Sequence, residues 1–381
     1  MKPFKRFITK MKFIKWIISF TSRTTNIVFV VALLISLSAS YISPNRVWFM
    51  PFAGLVLPAL VVANLVFVII WIMRKRHFAV VSLLAIAACL PQLLRLTATN
   101  LGSSDIAGTN SKIIKVMSYN VRDFDLYNWS DNENSKEKIF QTIKEKDPDV
   151  VCFQEFYSDS SKRFNTIKQL QNLGYKHYFF TKELVLRNTD NWGISLFSKT
   201  PIIEHGNIMK QDFKTGYGKN PFKGLYADIT FGDTVIRFVN VHLQSIYFGK
   251  QDYETIDEFR ETQNLDESGT KSIVVKLKKA FERRAKQADQ LKAFLNAQTK
   301  PVILCGDFND LPNSYVVNRV SKNMKDAFLD YGFGIGHTYN GKIPFLRIDY
   351  ILTTPNFVVH KFQIVNNKIS DHFPIYVELS L

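Results

Sequence analysis

Apolar residues along the chain follow two different patterns, which change near residue 112. Up to about residue 96 they form long runs without a polar face, at residues 25–42, 52–73 and 78–94. The hydrocarbon core of a bilayer requires about 20 consecutive apolar residues, with a range of about 17–25. The middle run is long enough, and the other two lie near the lower limit. We therefore expect residues 1–96 to form a membrane anchor with about three transmembrane helices.

From residue 113 onward, short apolar segments alternate with turns and polar helices. Between the two patterns, residues 97–112 are rich in Thr, Ser, Gly and Asn without an apolar period, which predicts a linker. The predicted strands cover residues 113–119, 150–153, 194–197, 226–230, 235–241, 302–305, 349–352 and 375–379. The predicted helices cover residues 135–145, 161–172 and 272–296.

Many strands with few helices favour two packed β-sheets with helices on the outside. We therefore predict an α/β (α+β) sandwich for residues 113–381, preceded by the helices of the anchor. Residues 246–269 have no strong period and many polar positions, so we expect them to form a long loop.

The net charge of +16 is unevenly distributed along the chain. Residues 1–100 contain 12 Lys and Arg and no acidic residue, which leaves residues 101–381 with 37 basic against 33 acidic residues, a charge of only +4. Basic residues beside apolar runs indicate the cytoplasmic side. The N-terminal cluster and the 74–76 cluster are then cytoplasmic, and a third crossing places the second part outside.

These charges predict an integral protein of a bacterial-type inner membrane with an extracytoplasmic catalytic domain. The short 78–94 run contains Pro91, and if it is re-entrant the domain instead lies inside.

Three cysteines provide no disulfide framework; Cys89, Cys152 and Cys305 all lie in apolar segments and are interpreted as small buried hydrophobes. A Cys152–Cys305 disulfide stays open from the sequence alone.

Polar side chains that can bind a metal or a phosphate lie beside several of the predicted strands. Mg²⁺ prefers oxygen ligands and retains several waters, so one or two carboxylates suffice. No Cys or His cluster has the spacing of a zinc site. Neither a Gly-rich nucleotide loop nor a Gly-x-Ser-x-Gly elbow is present in the sequence. The residues concerned are Asn120, Glu155, His242, Asp307, Asn309, Asp349, Asp371 and His372.

At these positions the sequence resembles the endonuclease/exonuclease/phosphatase superfamily, the group related to deoxyribonuclease I. Seven segments carry the resemblance, in the order typical of that group: VMSYNVR (116–122), DPDVVCFQE (147–155), GISLFSKTPI (193–202), FVNVHLQS (238–245), VILCGDFNDLPNS (302–314), RIDYIL (347–352) and SDHFPI (370–375). The resemblance implies a four-layer sandwich, and the hydrolysis of a phosphate ester by metal-activated water.

The resemblance also implies a metal site for Mg²⁺ or Mn²⁺. Glu155 matches the principal metal carboxylate, Asn120 matches its neighbour at the metal and phosphate, and Asp371 matches a support for the metal or its waters. A divalent cation offsets phosphoryl charge and lowers the pKa of bound water.

The remaining residues match catalytic positions of the superfamily. Asp307 resembles the residue that orients or deprotonates the attacking water, and Asn309 resembles an amide that contacts the phosphate. His242 and His372 match two histidines that stabilise charge on phosphoryl oxygens, and Asp349 would orient His372. The general base, either a histidine or an aspartate, stays open.

Other polar residues are assigned no role in the site. Asp310 is interpreted as a cap. Four basic residues are expected on a solvated face: Lys199, Lys223, Arg283 and Arg284. Four histidines are excluded from the site: His177, His205, His337 and His360.

The sequence defines the substrate less narrowly than the type of reaction. Abasic-site endonucleases of the exonuclease III type have a Tyr-x-Pro-Asn motif where this chain has NVHLQS (240–245), which disfavours abasic-site repair. We expect a phosphate-ester substrate and the lipid bilayer as partners, and no protein partner. A lipid or sphingolipid headgroup is the first hypothesis, with Tyr247, Phe248, Tyr253 and Phe259 available to reach an interface. The alternatives are a membrane-tethered extracytoplasmic nuclease and, ranked last, a non-catalytic signalling module.

Overall fold

The computed structural model describes residues 2–75, 77–100, 112–130, 134–160, 164–208, 223–246, 249–262, 267–341, 343 and 345–381. Contacts divide the chain into two compact units, Met1–Leu94 with Asn313–Tyr315, and Arg95–Pro312 with Val316–Leu381. Residues 101–111 of the predicted linker lie outside the described residues.

The first unit is helical. Its elements are α1 (Lys2–Ser38), α2 (Met50–Leu55), α3 (Leu57–Met73), α4 (Ala79–Ala88) and α5 (Leu90–Leu96). A buried polar triad connects three of these helices. Asn26 donates to the Ser82 hydroxyl at 2.7 Å and accepts from the Trp71 indole at 2.8 Å. Because an unpaired polar group inside an apolar bundle is costly, these bonds fix how the helices face one another.

The prediction of three transmembrane helices is wrong in number. Among the described residues, only Ser19–Ser38 of α1 is a single helix long and apolar enough to cross a bilayer. The helix α3 has 17 residues, which corresponds to about 25 Å, and falls short of that length. The third run is divided between α4 and α5, which meet at an angle of 56° and could form one broken span or a re-entrant loop. An N-terminal apolar helix of this kind fits either an anchor or a signal sequence.

The second unit contains fourteen strands among its described residues, in two six-stranded sheets and one two-stranded sheet. The strands are β1 (Ala98–Thr99), β2 (Ile114–Asn120), β3 (Val150–Asp159), β4 (His177–Leu186), β5 (Asp190–Ser198), β6 (Ile202–Asn207), β7 (Lys223–Phe231), β8 (Thr234–His242), β9 (Val302–Asp307), β10 (Lys325–Asp326), β11 (Phe333–Gly334), β12 (Asp349–Thr353), β13 (Val358–Ile364) and β14 (Ile375–Ser380). One sheet has the order β13-β14-β2-β3-β5-β4, and the other has the order β10-β12-β9-β8-β7-β6.

Six further helices accompany the two sheets in the described part of the chain. They are α6 (Ser135–Lys146), α7 (Thr166–Asn172), α8 (Lys250–Thr262), α9 (Glu267–Asn296), α10 (Tyr315–Ser321) and α11 (Ala327–Tyr331). Between the sheets, Val116 and Ile194 of one sheet share a buried cluster with Ala227 and Ile303 of the other. Two outer clusters join the sheets to α6 and α9. The predicted sandwich of two packed sheets flanked by helices is therefore confirmed.

Two local predictions are wrong. The expected 246–269 loop contains the helix α8, and α9 begins at Glu267 instead of residue 272. Their polar sequences lack the apolar period that marks a buried helix face. The cysteine prediction is confirmed, since Cys89, Cys152 and Cys305 are all buried and free.

Candidate functional site

The polar residues predicted at the strand ends meet at one end of the two packed sheets. Within each sheet, two parallel strands carry them: Asn120 ends β2 beside β3, and His242 ends β8 opposite Asp307 of β9. The Asn120 amide connects the sheets, because its Nδ2 donates to Glu155 Oε1 at 3.3 Å and to Asp307 Oδ2 at 3.1 Å. The carboxyl ends of these parallel strands lie at the same end of the two sheets. Residues that are distant in the sequence are thus brought into contact.

Glu155 reaches the site through a β-bulge. Its φ is +48°, and the pairing of β3 with β5 shifts register between Phe153 and Phe156. The bulge allows both phenylalanines to pack in the same buried cluster while Glu155 turns away from it. Opposite the bulge stands Gly193, where a Cβ would lie 2.0 Å from the carbonyl oxygen of Thr181. The backbone geometry therefore requires glycine at this position.

His372 is held by two carboxylates. Its Nδ1 lies 2.9 Å from Asp349 Oδ2, and its Nε2 lies 3.7 Å from Asp307 Oδ2. Burial alone would lower the pKa of His372, but the charges of Asp349 and Asp307 raise it well above its ordinary value. Burial also raises the pKa of Asp307 to about 7, against the opposing effect of His372. The imidazole is therefore charged at neutral pH.

His242 has the opposite electrostatic character. Burial lowers its pKa well below the ordinary value, and the positive charges of Lys223 and His372 lower it further. Its Nε2 lies 3.1 Å from the Ser245 hydroxyl, 3.6 Å from Asp307 Oδ2 and 3.7 Å from Glu155 Oε1. Its Nδ1 is buried and has no hydrogen-bond partner among the residues that the structure describes. The surroundings thus favour the neutral form of His242 and the charged form of His372.

Asn309 adopts a left-handed backbone, with φ of +52°, directly after β9. Its backbone N–H donates to Asp307 Oδ1 at 2.8 Å. Its side-chain NH₂ donates to the Leu243 carbonyl at 3.1 Å and to the Ser245 hydroxyl at 3.3 Å. Asn309 therefore connects the loop after β9 to the loop after β8 and positions Ser245, which ends the FVNVHLQS segment but was not among the predicted site residues.

Six of the eight predicted residues line one cleft of about 590 Å³, and they are Glu155, His242, Asp307, Asn309, Asp371 and His372. Asn120 and Asp349 are buried directly behind it and bond to its lining. The four excluded histidines are not among the lining residues. The structure therefore brings together all eight candidate residues.

Three further charged residues line the same cleft, and sequence patterns did not identify them. Lys223, expected on a solvated face, is paired with Glu183 at 2.6 Å inside the cleft. Asp123 belongs to a turn, Arg122–Asp125, in which every φ is positive. Burial and the charge of Glu155 raise the pKa of Asp123 to about 7. Such a turn has no hydrophobic period, so only the three-dimensional structure places it here.

The donor atoms of the cleft fit a divalent cation. The tightest group among the described residues is Asp307, Asp349 and His372, whose ligand-type atoms lie within 4.8 Å of one another. Burial and the charge of Asp371 raise the pKa of Glu155, and the opposing charges of His372 and Lys223 do not fully offset them. A cluster of mutually repelling oxygen donors is the kind of site that Mg²⁺ occupies.

Solved structures similar to this chain include an endonuclease/exonuclease/phosphatase from Beutenbergia cavernae, at 20% identity and a TM-score of 0.49, covering 71% of this chain and 72% of that chain. A family protein from Leptotrichia buccalis matches at 18% identity and a TM-score of 0.48, covering 70% of this chain and 100% of that chain. The human nocturnin catalytic domain with bound sulfate matches at 18% identity and a TM-score of 0.48, covering 70% of this chain and 94% of that chain.

The search of curated proteins found no match. Two family models match the sequence in separate regions. Residues 15–96 match a domain of unknown function (DUF8431). Residues 117–372 match the Endonuclease/Exonuclease/phosphatase family, and this match spans most of the chain. The chain belongs to the endonuclease/exonuclease/phosphatase family, whose members are hydrolases that act on phosphate esters.

Proposed function

We propose that this chain is a membrane-anchored, divalent-metal-dependent phosphoesterase. The observation that carries the proposal is the convergence of Asn120, Glu155, His242, Asp307 and His372 on one cleft, from both sheets. These residues lie far apart in the sequence. Asn120 donates hydrogen bonds to Glu155 and Asp307, and both histidines lie within 3.7 Å of the Asp307 carboxylate. An arrangement of carboxylates with one charged and one neutral imidazole suits the hydrolysis of a phosphodiester or phosphomonoester.

We assign Asn120, Glu155 and Asp371 to the binding of Mg²⁺ or Mn²⁺. The superfamily resemblance implies a metal site at these residues, and the negative charge of Asp371 raises the pKa of the neighbouring Glu155, so a cation would stabilise both carboxylates. When bound, such a cation offsets phosphoryl charge and lowers the pKa of a water molecule. Asp371 is positioned by Arg122, whose Nε lies 3.4 Å from its Oδ2. That ion pair keeps the Asp371 carboxylate facing the cleft.

We assign Asp307 to orient the attacking water and accept its proton. The carboxylate is fixed on both oxygens, by the Asn309 backbone on Oδ1 and by Asn120 on Oδ2. A base is most effective when its pKa lies near the working pH, and burial raises the pKa of Asp307 to about 7. Asp307 therefore combines a fixed orientation with a suitable proton affinity.

The histidines stabilise charge on the phosphoryl oxygens in this proposal. His372, charged through Asp349, donates from Nε2 into the cleft and supplies a positive group. His242 stays neutral, so it contributes a hydrogen bond and not a charge. Groups whose environments drive their pKa values apart perform different acid–base roles. Asn309 holds Ser245 beside His242, and we assign both to contact with the phosphate.

We also propose that residues 1–96 form the anchor, residues 97–112 the linker and residues 113–381 the catalytic domain. Residues 1–18 are rich in Lys and Arg and lie before the Ser19–Ser38 segment, which favours a cytoplasmic N-terminus. A single crossing by this segment then places the catalytic domain outside the cytoplasm. Fusion of alkaline phosphatase or green fluorescent protein to the C-terminus tests the topology, and fluorescence without phosphatase activity contradicts it.

A nuclease is the second candidate, and one observation favours it. The exposed rings of Tyr127 and Trp129 are tilted by 50° with centroids 4.9 Å apart, and the Arg122 guanidinium lies 4.7 Å over the Trp129 ring. The same Arg122 contacts Asp371 at the cleft. Aromatic rings beside a cation can stack nucleobases next to a phosphate.

The test of the catalytic assignment compares Glu155→Ala and Asp307→Ala with the wild-type chain, purified in detergent. Turnover of bis-p-nitrophenyl phosphate with Mg²⁺ should fall by about 10²-fold or more in each variant, and chelation should abolish it in the wild type. Calorimetry should show weaker Mg²⁺ binding for Glu155→Ala. The exposed Glu145→Ala and Asp233→Ala variants serve as matched controls. Wild-type activity in either site variant, with unchanged circular dichroism, overturns the assignment.

A further inference from the structure

The hairpin formed by β4 and β5 carries three consecutive exposed apolar residues next to the cleft. Leu184, Val185 and Leu186 are 37%, 46% and 40% exposed. Successive side chains in a strand point to opposite faces, so three exposed neighbours mean that both faces of the hairpin end are in solvent. The hairpin therefore projects beyond the core that its sheet covers.

A tight turn gives this hairpin a defined shape. Its central residues, Arg187 and Asn188, have φ of +51° and +60°, and the Thr189 N–H donates to the Leu186 carbonyl at 3.2 Å. Two left-handed central residues form the type I′ turn that matches the twist of paired strands. The Arg187 side chain is 87% exposed at the tip. The hairpin end thus presents a cation beside an aliphatic surface.

The loop that precedes β12 adds more exposed apolar surface. Ile343 is 42% exposed and Phe345 is 67% exposed. Leu184 and Ile343 are also lining residues of the catalytic cleft, together with Leu346 and Ile348. The apolar surface therefore continues from the exposed hairpin and loop into the cleft that holds Glu155 and the two histidines. We call Leu184–Leu186, Ile343 and Phe345 the apolar rim.

We propose that the apolar rim enters the acyl region of a bilayer and that the cleft takes the phosphate ester of a phospholipid. This inference rests on the proposed function, because it names the substrate class of the same site. Large apolar side chains exposed beside a polar site mark interfaces with membranes or partners. Arg187 at the tip fits the negative surface of an anionic bilayer.

The charge around the rim favours lipid over nucleic acid as its occupant. The hairpin carries two carboxylates, Glu183 and Asp190, which pair with Lys223 and Arg187, so its charges largely cancel. Nucleic-acid surfaces bind through cations that contact many phosphates, and residues 101–381 carry a charge of only +4. A lipid presents one phosphate followed by acyl chains, which corresponds to a polar cleft with an aliphatic rim.

The first experiment measures contact with lipid independently of turnover. The full chain is reconstituted in nanodiscs of phosphatidylethanolamine and phosphatidylglycerol, with an environment-sensitive fluorophore attached at Val185→Cys. The native cysteines are buried, so labelling is directed to the new position. Doxyl-labelled lipids should quench the fluorophore at 185. The same fluorophore at Ile203→Cys, an apolar position on β6 that is even more exposed than Val185, should not be quenched.

The second experiment compares hydrolysis of bilayer phospholipid with hydrolysis of bis-p-nitrophenyl phosphate. Val185 and Leu186 lie outside the cleft lining, so the double variant Val185→Asp with Leu186→Asp should retain turnover of the soluble diester. Its hydrolysis of bilayer phospholipid should fall by about tenfold or more, because about two buried aliphatic side chains are lost from the interface. Ile203→Asp should change neither rate.

The outcomes separate the two proposals. Absence of quenching at 185, or wild-type phospholipid hydrolysis by the double variant, overturns the rim proposal while the phosphoesterase assignment stands. Turnover of nucleic acid without turnover of phospholipid also overturns it and favours the nuclease. Quenching at 185 without hydrolysis of any phosphate ester supports the rim as a lipid contact and overturns the proposed function.

Discussion

Asp307 and Asp349 lie directly opposite each other on the antiparallel strands β9 and β12, and His372 contacts both of their carboxylates. Asp349 bonds to Nδ1 at 2.9 Å, so Nε2 is left to face Asp307 and the cleft. The Asp349 backbone N–H is fixed in turn by the Thr338 hydroxyl at 3.1 Å. One hydrogen bond thus selects which imidazole nitrogen the substrate meets.

We therefore predict that Asp349→Asn lowers kcat by about 10²-fold or more while KM changes little. Asparagine keeps the shape of the side chain, but its amide no longer holds a proton on Nδ1 by charge. The variant should also change the ¹⁵N spectrum of the His372 ring, a readout that is independent of turnover. Asp330→Asn, at an exposed carboxylate on α11, is the control. An unchanged kcat together with a changed ring spectrum would show that His372 takes no part in catalysis.

The candidate site could be predicted because its residues follow interior strands. Asn120, His242 and Asp307 each end a run of buried apolar residues in the middle of a sheet. Such runs are visible in the sequence, and the polar residue that ends each run is conspicuous. Lys223 could not be identified in this way, because it begins its strand beside residues with no apolar run.

The strands that sequence patterns did not predict share one property. In the two large sheets they are β4, β6, β10 and β13, which occupy all four edges. An edge strand has a neighbouring strand on one side only and is more exposed to solvent. Its residues therefore mix apolar and polar types and lack a continuous apolar run. The Leu184–Leu186 segment of the apolar rim belongs to one of these edges. Its function therefore depends on exposure, which a sequence pattern does not report.

Gly306 provides a second prediction, since it precedes Asp307 in β9 with φ of +155°. A Cβ at this position would lie 2.2 Å from the carbonyl oxygen of Val241 in the paired strand β8. Gly306→Ala should therefore separate β8 from β9 and destabilise the fold by about 3 kcal/mol or more. Thermal unfolding and amide exchange of β8 measure the effect. Gly249→Ala, where the nearest atom lies 3.5 Å away, is the control; equal melting of both variants contradicts the prediction.

Arg284 corrects an expectation from the sequence, because it is fully buried and not solvated. Its Nε donates to Asp310 Oδ2 at 3.0 Å, and a terminal nitrogen donates to the Gln244 carbonyl at 2.9 Å. Asp310, expected as a simple cap, is therefore part of a buried ion pair. These contacts support the loops that carry Ser245 and Asn309.

Arg284→Met should destabilise the chain by about 3–5 kcal/mol, because it leaves the Asp310 carboxylate buried without its partner. Activity at permissive temperature should fall as well, since the loops that position Ser245 lose their support. Adding Asp310→Asn to this variant should recover part of the stability. The neighbouring Arg283→Met, at an exposed position, should change it by less than about 0.5 kcal/mol. Equal effects of the two arginine variants would contradict the buried pair.

Asp228 provides a prediction about pH at the far end of β7 and β8. This buried carboxylate accepts hydrogen bonds from Nε and Nη2 of Arg237, both at 2.7 Å, and from Lys300. Burial alone would raise the pKa of Asp228, but the hydrogen bonds and charges of Arg237 and Lys300 outweigh it and hold the pKa below its ordinary value. The charged form is therefore favoured more in the folded chain than in the unfolded chain.

A depressed folded pKa contributes stability that is fully present above the unfolded value of about 3.9 and is lost as the pH falls through the folded value. Asp228→Asn should accordingly destabilise the chain by about 3 kcal/mol at neutral pH, because Arg237 and Lys300 lose their counter-charge. The difference between variant and wild type should shrink as the pH falls below about 4. Amide exchange of β7 and β8 measures the stability of the variant and of the wild type at each pH, with exposed Asp233→Asn as the control. A difference that stays constant across this range would show that packing, and not the ionised carboxylate, accounts for the loss.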